Sequence, residues 1–138
     1  MHENDISKII LNSAVGVHLT LGGPGLRESA YEEALAWELI HAGLMIKRQL
    51  EVPIRYKGQL LATPLRLDLL VNDPVIIDCK ATSTYNKVFE AQVLTYLRLM
   101  NLKLGSVINL GERLVKDGYH RVVHGPRYRI INWHQFQC

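Results

Sequence analysis

Cysteine is scarce in these 138 residues, occurring only as Cys79 and Cys138. Two thiols make neither a disulfide framework nor a four-thiolate cluster site, and the natural setting for such a chain is the reducing cytoplasm. Long apolar runs are missing too. None approaches the roughly 20 residues needed to cross a bilayer, and the polar, acidic start Met1-His2-Glu3-Asn4-Asp5 is unlike a signal peptide. No glycine-rich phosphate cradle is present, because Gly22-Gly23-Pro24-Gly25 precedes a helix but lacks the Lys-Ser/Thr of a P-loop. The six histidines show no close ligand pairing, which argues against zinc. With no internal repeat and no long linker, residues 1–138 read as one domain.

What is present is the composition of a folded globular chain, with 48% apolar and 21% charged residues. The net charge of +3 is unevenly placed. Residues 1–112 hold 11 Lys/Arg against 12 Asp/Glu, whereas Arg113, Lys116, Arg121, Arg127 and Arg129 face only Asp117 in the remainder. That basic end also carries Tyr119, Tyr128, Trp133 and Phe136. It suits a phosphate backbone with stacked bases, or equally a solvated edge whose aromatics plug the core.

Ile6, Ile9, Ile10, Ala14, Val17 and Leu21 recur at helical spacing and predict a first helix from Asp5 to Leu21, capped by Asn4 or Asp5. A second helix is expected from about Leu26 to Ala42, ending at Gly43. Branched residues then dominate: Met45–Tyr56, Leu60–Leu61, Leu65–Val71 and Val75–Ala81 read as antiparallel strands. A third helix is predicted over Val88–Met100, a strand over Leu104–Leu110, and another strand after the Asp117-Gly118 turn. The order ααβββαβ with a β-rich tail defines a mixed α/β layer protein.

One hairpin collects charge. A three-residue loop at 72–74 pairs Val71 with Val75, and counting back sets Asp68 opposite Asp78 on the face that also carries Lys80. Cβ atoms of facing residues lie about 4.5–5.5 Å apart, so like charges there repel. A divalent cation held by both carboxylates offsets that, with the Cys79 carbonyl as a further hard oxygen. Lys80 is then placed to orient a bound water or to stabilise phosphoryl charge. The structural alternative is an ion-pair network of Asp68 and Asp78 with Arg66 and Lys80 on a solvated face.

On the third helix, Gln92 and Tyr96 are four apart and share a face, offering hydrogen bonds to a phosphate, a base edge or a water. A core tyrosine beside an ordinary polar residue fits the same spacing. On the second helix Glu28 borders the apolar stripe, as a site acid or as a first-turn acid favoured by the helix dipole. Glu32, Glu33 and Glu38 are assigned to solvent.

Together these residues resemble a known family. Gly25-Leu26-Arg27-Glu28-Ser29-Ala30-Tyr31 matches the signature of the GxxExxY proteins, members of the PD-(D/E)xK nuclease superfamily. The resemblance continues through Arg66–Val71, Ile77–Ala81 and Glu90–Tyr96, over roughly residues 5–124. Gln92 to Tyr96 is similar to the Q-x-x-x-Y motif of RecB-like nucleases. The resemblance implies a restriction-endonuclease-like fold, a mixed central sheet flanked by helices. It implies Glu28, Asp68 and Asp78 around magnesium or manganese, Lys80 as the catalytic lysine, and Gln92 and Tyr96 on the flanking helix. Asp78 stands where Glu is common in the family, and the superfamily pattern admits either acid. The function so implied is metal-dependent hydrolysis of phosphodiesters in DNA, or else RNA, with a homodimer as one route to cutting both strands. The rival is a catalytically silent module that binds nucleic acid or a protein partner.

Overall fold

The structure, a computed structural model, describes residues 1–125. Ile6, Ile10, Ala14 and Val17 form the buried side of α1 (Glu3–Thr20). His2 caps this helix in place of Asn4 or Asp5, because its ring Nδ1 accepts the Asn4 N–H at 3.0 Å. Helix α2 (Glu28–His41) buries Tyr31, Glu32, Leu35, Ala36 and Leu39. Strand β1 (Ile46–Val52) is shorter than the expected Met45–Tyr56. It stops at Pro53, which has no N–H for a ladder. The rest of that run folds as a separate small hairpin, β2 (Arg55–Tyr56) with β3 (Gln59–Leu60).

Strands β4 (Leu65–Val71) and β5 (Val75–Lys80) are joined by the expected three-residue loop. Asn72 and Asp73 hold φ of 50° and 71° there, the left-handed conformations that Asn and Asp tolerate better than most residues. The Asn72 side chain accepts the Met45 N–H at 2.7 Å, and its backbone N–H reaches the Met45 carbonyl at 2.8 Å. The hairpin tip is thereby tied to the start of β1.

Helix α3 (Val88–Met100) ends at Asn101 in the left-handed conformation, and β6 (Leu104–Asn109) follows. A single helical turn, α4 (Val115–Gly118), replaces the simple turn expected at Asp117-Gly118 and leads into β7 (Tyr119–Val123).

The main sheet runs β1-β4-β5-β6-β7. Only β5 and β6 are parallel among these neighbours, and α3 supplies the crossover that a parallel pair requires. Helices α1 and α2 cover one face with Leu69, Val71, Ile77 and Cys79 beneath them. Helix α3 covers the other, where Val93, Leu94 and Leu97 meet Leu70, Ile76 and Val107. Gly105 permits this close approach, since a Cβ there would sit 2.7 Å from Val93 Cγ1. Truncating a fully buried Leu97 or Ile77 to Ala costs about 2–5 kcal/mol. No helix of the described residues is long and apolar enough to cross a membrane.

Candidate active site

The site begins with an irregularity in the pleat. Along β1, Ile46 packs towards α1 and α2, yet Leu50 and Val52 pack towards α3. Along β4, Leu69 and Val71 face α1 and α2 while Leu67 faces α3. Residues two or four apart in a regular strand share a face, so both strands change phase. The pairs Arg48↔Leu69 and Leu50↔Leu67 bracket the change, and between them stand Gln49 and Asp68. Gln49 has φ of 49°, the one left-handed non-glycine inside a strand among the described residues. Such a conformation costs about 1–2 kcal/mol.

The kink lets adjacent residues serve one partner. Arg48 donates from Nε and Nη2 to Glu32 Oε2 at 3.3 and 3.1 Å, and Gln49 Nε2 donates to Glu32 Oε1 at 2.8 Å. Glu32 is therefore not the solvated residue its helix position suggests; it is only 4% exposed. Burial and the nearby Asp68 raise its pKa, while Arg48 and Gln49 act against the shift. Gln49 Nε2 also lies 3.4 Å from Asp68 Oδ1.

Across β4 and β5 the register follows the expected Val71↔Val75, Leu70↔Ile76 and Leu69↔Ile77. One step further, the Asp68 carboxylate takes the place of a ladder partner, accepting the Cys79 N–H on Oδ2 at 2.8 Å. Asp68 and Asp78 meet side chain to side chain. Burial first, and the facing Asp68 second, push Asp78 up to about 7. Lys80 Nζ lies 3.3 Å from Asp78 Oδ2, with both side chains largely enclosed. The angles of that ion pair leave Oδ2 buried without a directed hydrogen bond. Burial works against the Lys80 ammonium, but Asp78 and Glu28 outweigh it and raise its pKa. The ammonium also sits 4.8 Å from the centre of the Phe89 ring, on α3.

Glu28 opens α2, and its pKa is raised by burial, opposed by Lys80 and reinforced by Asp68 and Glu32. The loop before it explains its placement. Gly25 has φ of 121°, which a side chain would resist. The Tyr31 hydroxyl donates to the Gly23 carbonyl at 2.7 Å and accepts the Leu26 N–H at 3.1 Å. This latch holds Leu26 outside the helix, so α2 starts at Glu28 rather than at Leu26.

The structure does not bring every candidate together. Gln92 Nε2 donates to the Tyr96 hydroxyl at 2.8 Å, so these two are bonded to each other on α3. Cys79 buries its thiol under α1 and α2, leaving only its backbone to the acid pair. Arg66 pairs with Glu51 at 3.5 Å and takes no part in balancing the two aspartates. Arg121, on β7, donates to Asn4 Oδ1 at 2.6 Å, with β6 between its strand and β5. Arg127 and Arg129 lie outside the described residues.

Sequence reasoning missed Glu32, Arg48 and Gln49, whose association depends on a backbone kink that no periodicity marks. It also missed a cluster beside Phe89, whose ring meets Tyr85 edge-on with centroids 5.5 Å apart. The Tyr85 hydroxyl donates to Glu90 at 2.9 Å, and the Tyr85 ring stacks on His120 with centroids 4.1 Å apart. Burial and the Glu90 bond raise the Tyr85 pKa. An aromatic three residues before α3 was the available signal.

A desolvated aspartate facing a second aspartate and a lysine, on the middle strands of a mixed sheet with helices on both faces, defines a class of acid-and-lysine site. The model of the PD-(D/E)XK nuclease superfamily matches residues 4–122, and the chain belongs to that superfamily. Its fold is accordingly restriction-endonuclease-like. None of the curated proteins compared with the chain matches it. Among solved structures, the crystal structure of SSO0001 aligns over 94% of this chain and 84% of that one, at 13% identity and a TM-score of 0.44.

Proposed function

We propose that the protein is a metal-dependent nuclease of the GxxExxY type, with the RecB-like Q-x-x-x-Y helix, hydrolysing phosphodiester bonds of DNA or, as second choice, RNA. The observation that supports this most is the buried Asp78 carboxylate, whose Oδ2 has the Lys80 ammonium at 3.3 Å but no directed hydrogen bond, facing Asp68. Among the described residues no group of three or more His, Cys, Asp or Glu is arranged to hold a metal ion. Two carboxylates are nonetheless a donor set that fits magnesium, which takes one or two carboxylates and keeps several waters. Asp68 and Asp78 would hold it, with the Cys79 carbonyl available and Glu28 reaching it directly or through water. A bound divalent ion would supply a polarised water and charge neutralisation at phosphorus.

The chain's own residues do the rest. Lys80 keeps its proton, so it acts by charge on the non-bridging phosphoryl oxygens rather than as a base. The Phe89 ring beneath it steadies the ammonium. Gln92 and Tyr96 offer hydrogen bonds along the α3 side of the substrate. Arg121, Arg127 and Arg129 would follow the phosphate backbone, Arg121 giving up its bond to Asn4 to do so. The protein would work in the cytosol, with a homodimer as one means of cutting both strands.

The test is incubation of the purified protein with single-stranded, duplex and branched DNA and with RNA, with and without manganese. Manganese-dependent cleavage of at least one DNA substrate is expected. Binding without cleavage on every substrate would favour a catalytically silent module instead.

A further inference from the structure

Gln49 stands where the pleat changes phase in both β1 and β4, and its amide reaches two carboxylates that belong to different elements. In a regular strand Arg48 and Gln49 would point to opposite faces. The left-handed turn at Gln49 brings both to Glu32. Glu32 is a fixed anchor, being buried and held on Oε2 by the Arg48 guanidinium. From that anchor Gln49 Nε2 also donates to Asp68 Oδ1 at 3.4 Å, while Cys79 N–H donates to Asp68 Oδ2 at 2.8 Å.

We propose that Gln49 is a positioning residue for Asp68: its kinked backbone and bridging amide fix the Asp68 carboxylate where it meets Asp78. The chemistry of the amide suits this place. A neutral NH₂ offers two donors to two carboxylates and brings no charge of its own. A lysine there would neutralise the negative potential that attracts a cation, and a carboxylate would add repulsion. The chain of contacts Arg48–Glu32–Gln49–Asp68 thus ties the site to α2 through β1. Its bearing on metal binding rests on the nuclease reading above; the placement of Asp68 does not.

The experiment uses two variants of the full chain, Gln49→Gly and Gln49→Asn. Both residue types accept a left-handed backbone, but the first has no amide and the second is one methylene too short to span both acids. Amide hydrogen exchange is followed by NMR in the metal-free protein at Cys79, with the Ile77 amide as internal reference. Cys79 exchange is expected to rise by about tenfold or more relative to Ile77 in each folded variant, the Ile77 amide correcting for any change in global stability. Unchanged relative exchange in either folded variant would overturn the proposal. Manganese titration by calorimetry runs alongside, with affinity expected to fall by about tenfold in the same variants. A wild-type protein that takes up no manganese would instead defeat the nuclease reading, and the Cys79 amide would still decide the role of Gln49.

Discussion

Two polar clusters are buried against the same sheet, and they are completed differently. Around Tyr119, the hydroxyl meets Ser7 Oγ at 2.9 Å and accepts from Ser106 Oγ at 3.2 Å, joining α1, β6 and β7 with neutral groups. Around Asp78, a buried acid faces a second acid and a lysine, its Oδ2 is held by the Lys80 ion pair without a directed hydrogen bond, and its carboxyl is pushed up to about 7. Neutral hydroxyls satisfy one another at little cost, whereas a buried carboxylate facing a second acid is expensive even with a lysine beside it. A fold that keeps the second arrangement has given up stability at that point, as sites for chemistry commonly do.

The sharpest way to break this contrast is at Asp78. Asp78→Asn keeps the shape and removes the charge, so metal uptake should be lost and cleavage should fall by about 10³-fold or more. Calorimetry with manganese and a cleavage assay check both, and retained cleavage would show that Asp78 is merely a buried acid. Lys80→Ala comes next. The variant should still bind metal and nucleic acid but cut about 10²–10³-fold more slowly, as when other electrostatic donors are removed. Cleavage at the wild-type rate would assign Lys80 to charge balance alone.

Stability against pH gives the third test. Asp78 is raised from 3.8 to about 7 in the fold, so the folded state holds a proton that the unfolded state releases between those values. Metal-free stability should therefore decline as pH rises from about 4 to about 7, by a few kcal/mol, and Asp78→Asn should remove most of the decline. The raised Glu28 and Glu32 act in the same direction. Urea unfolding across that range is the measurement, and a rise in stability over it would contradict the desolvated pair. The smallest effect belongs to the neutral cluster. Tyr119→Phe should cost about 1 kcal/mol in thermal unfolding and leave manganese affinity unchanged.

Where alternation and turn chemistry decide the structure, the sequence was readable. The β4–β5 hairpin followed from two alternating runs around Asn72-Asp73-Pro74, and the α3 limits, Val88 and Met100, followed from helical spacing. The same count set Asp68 opposite Asp78, but β4 changes phase at Asp68, so the two meet through their side chains rather than as a ladder pair. Glu32 was not, because its burial is decided by Arg48 and Gln49, which come to it from a strand across the layer. Nor was the limit of β1, where the lack of one N–H at Pro53 ends a run rich in branched residues that reads as one strand. The Tyr31 latch lay within a recognised motif, but which carbonyl its hydroxyl would seek depended on the fold of the Gly23–Leu26 loop.

The left-handed turn at Gln49 has a consequence for the edge of the sheet. Among the described residues β1 is the outermost strand on its side of the sheet, with its outer backbone groups open to another chain. A straight apolar edge invites a foreign strand to pair. Here the edge is bent in its middle and carries Lys47, Arg48 and Glu51, so an incoming strand cannot stay in register for more than a few residues. The deformation that brings a glutamine between two acids also shortens the straight run of edge that a second copy could pair with.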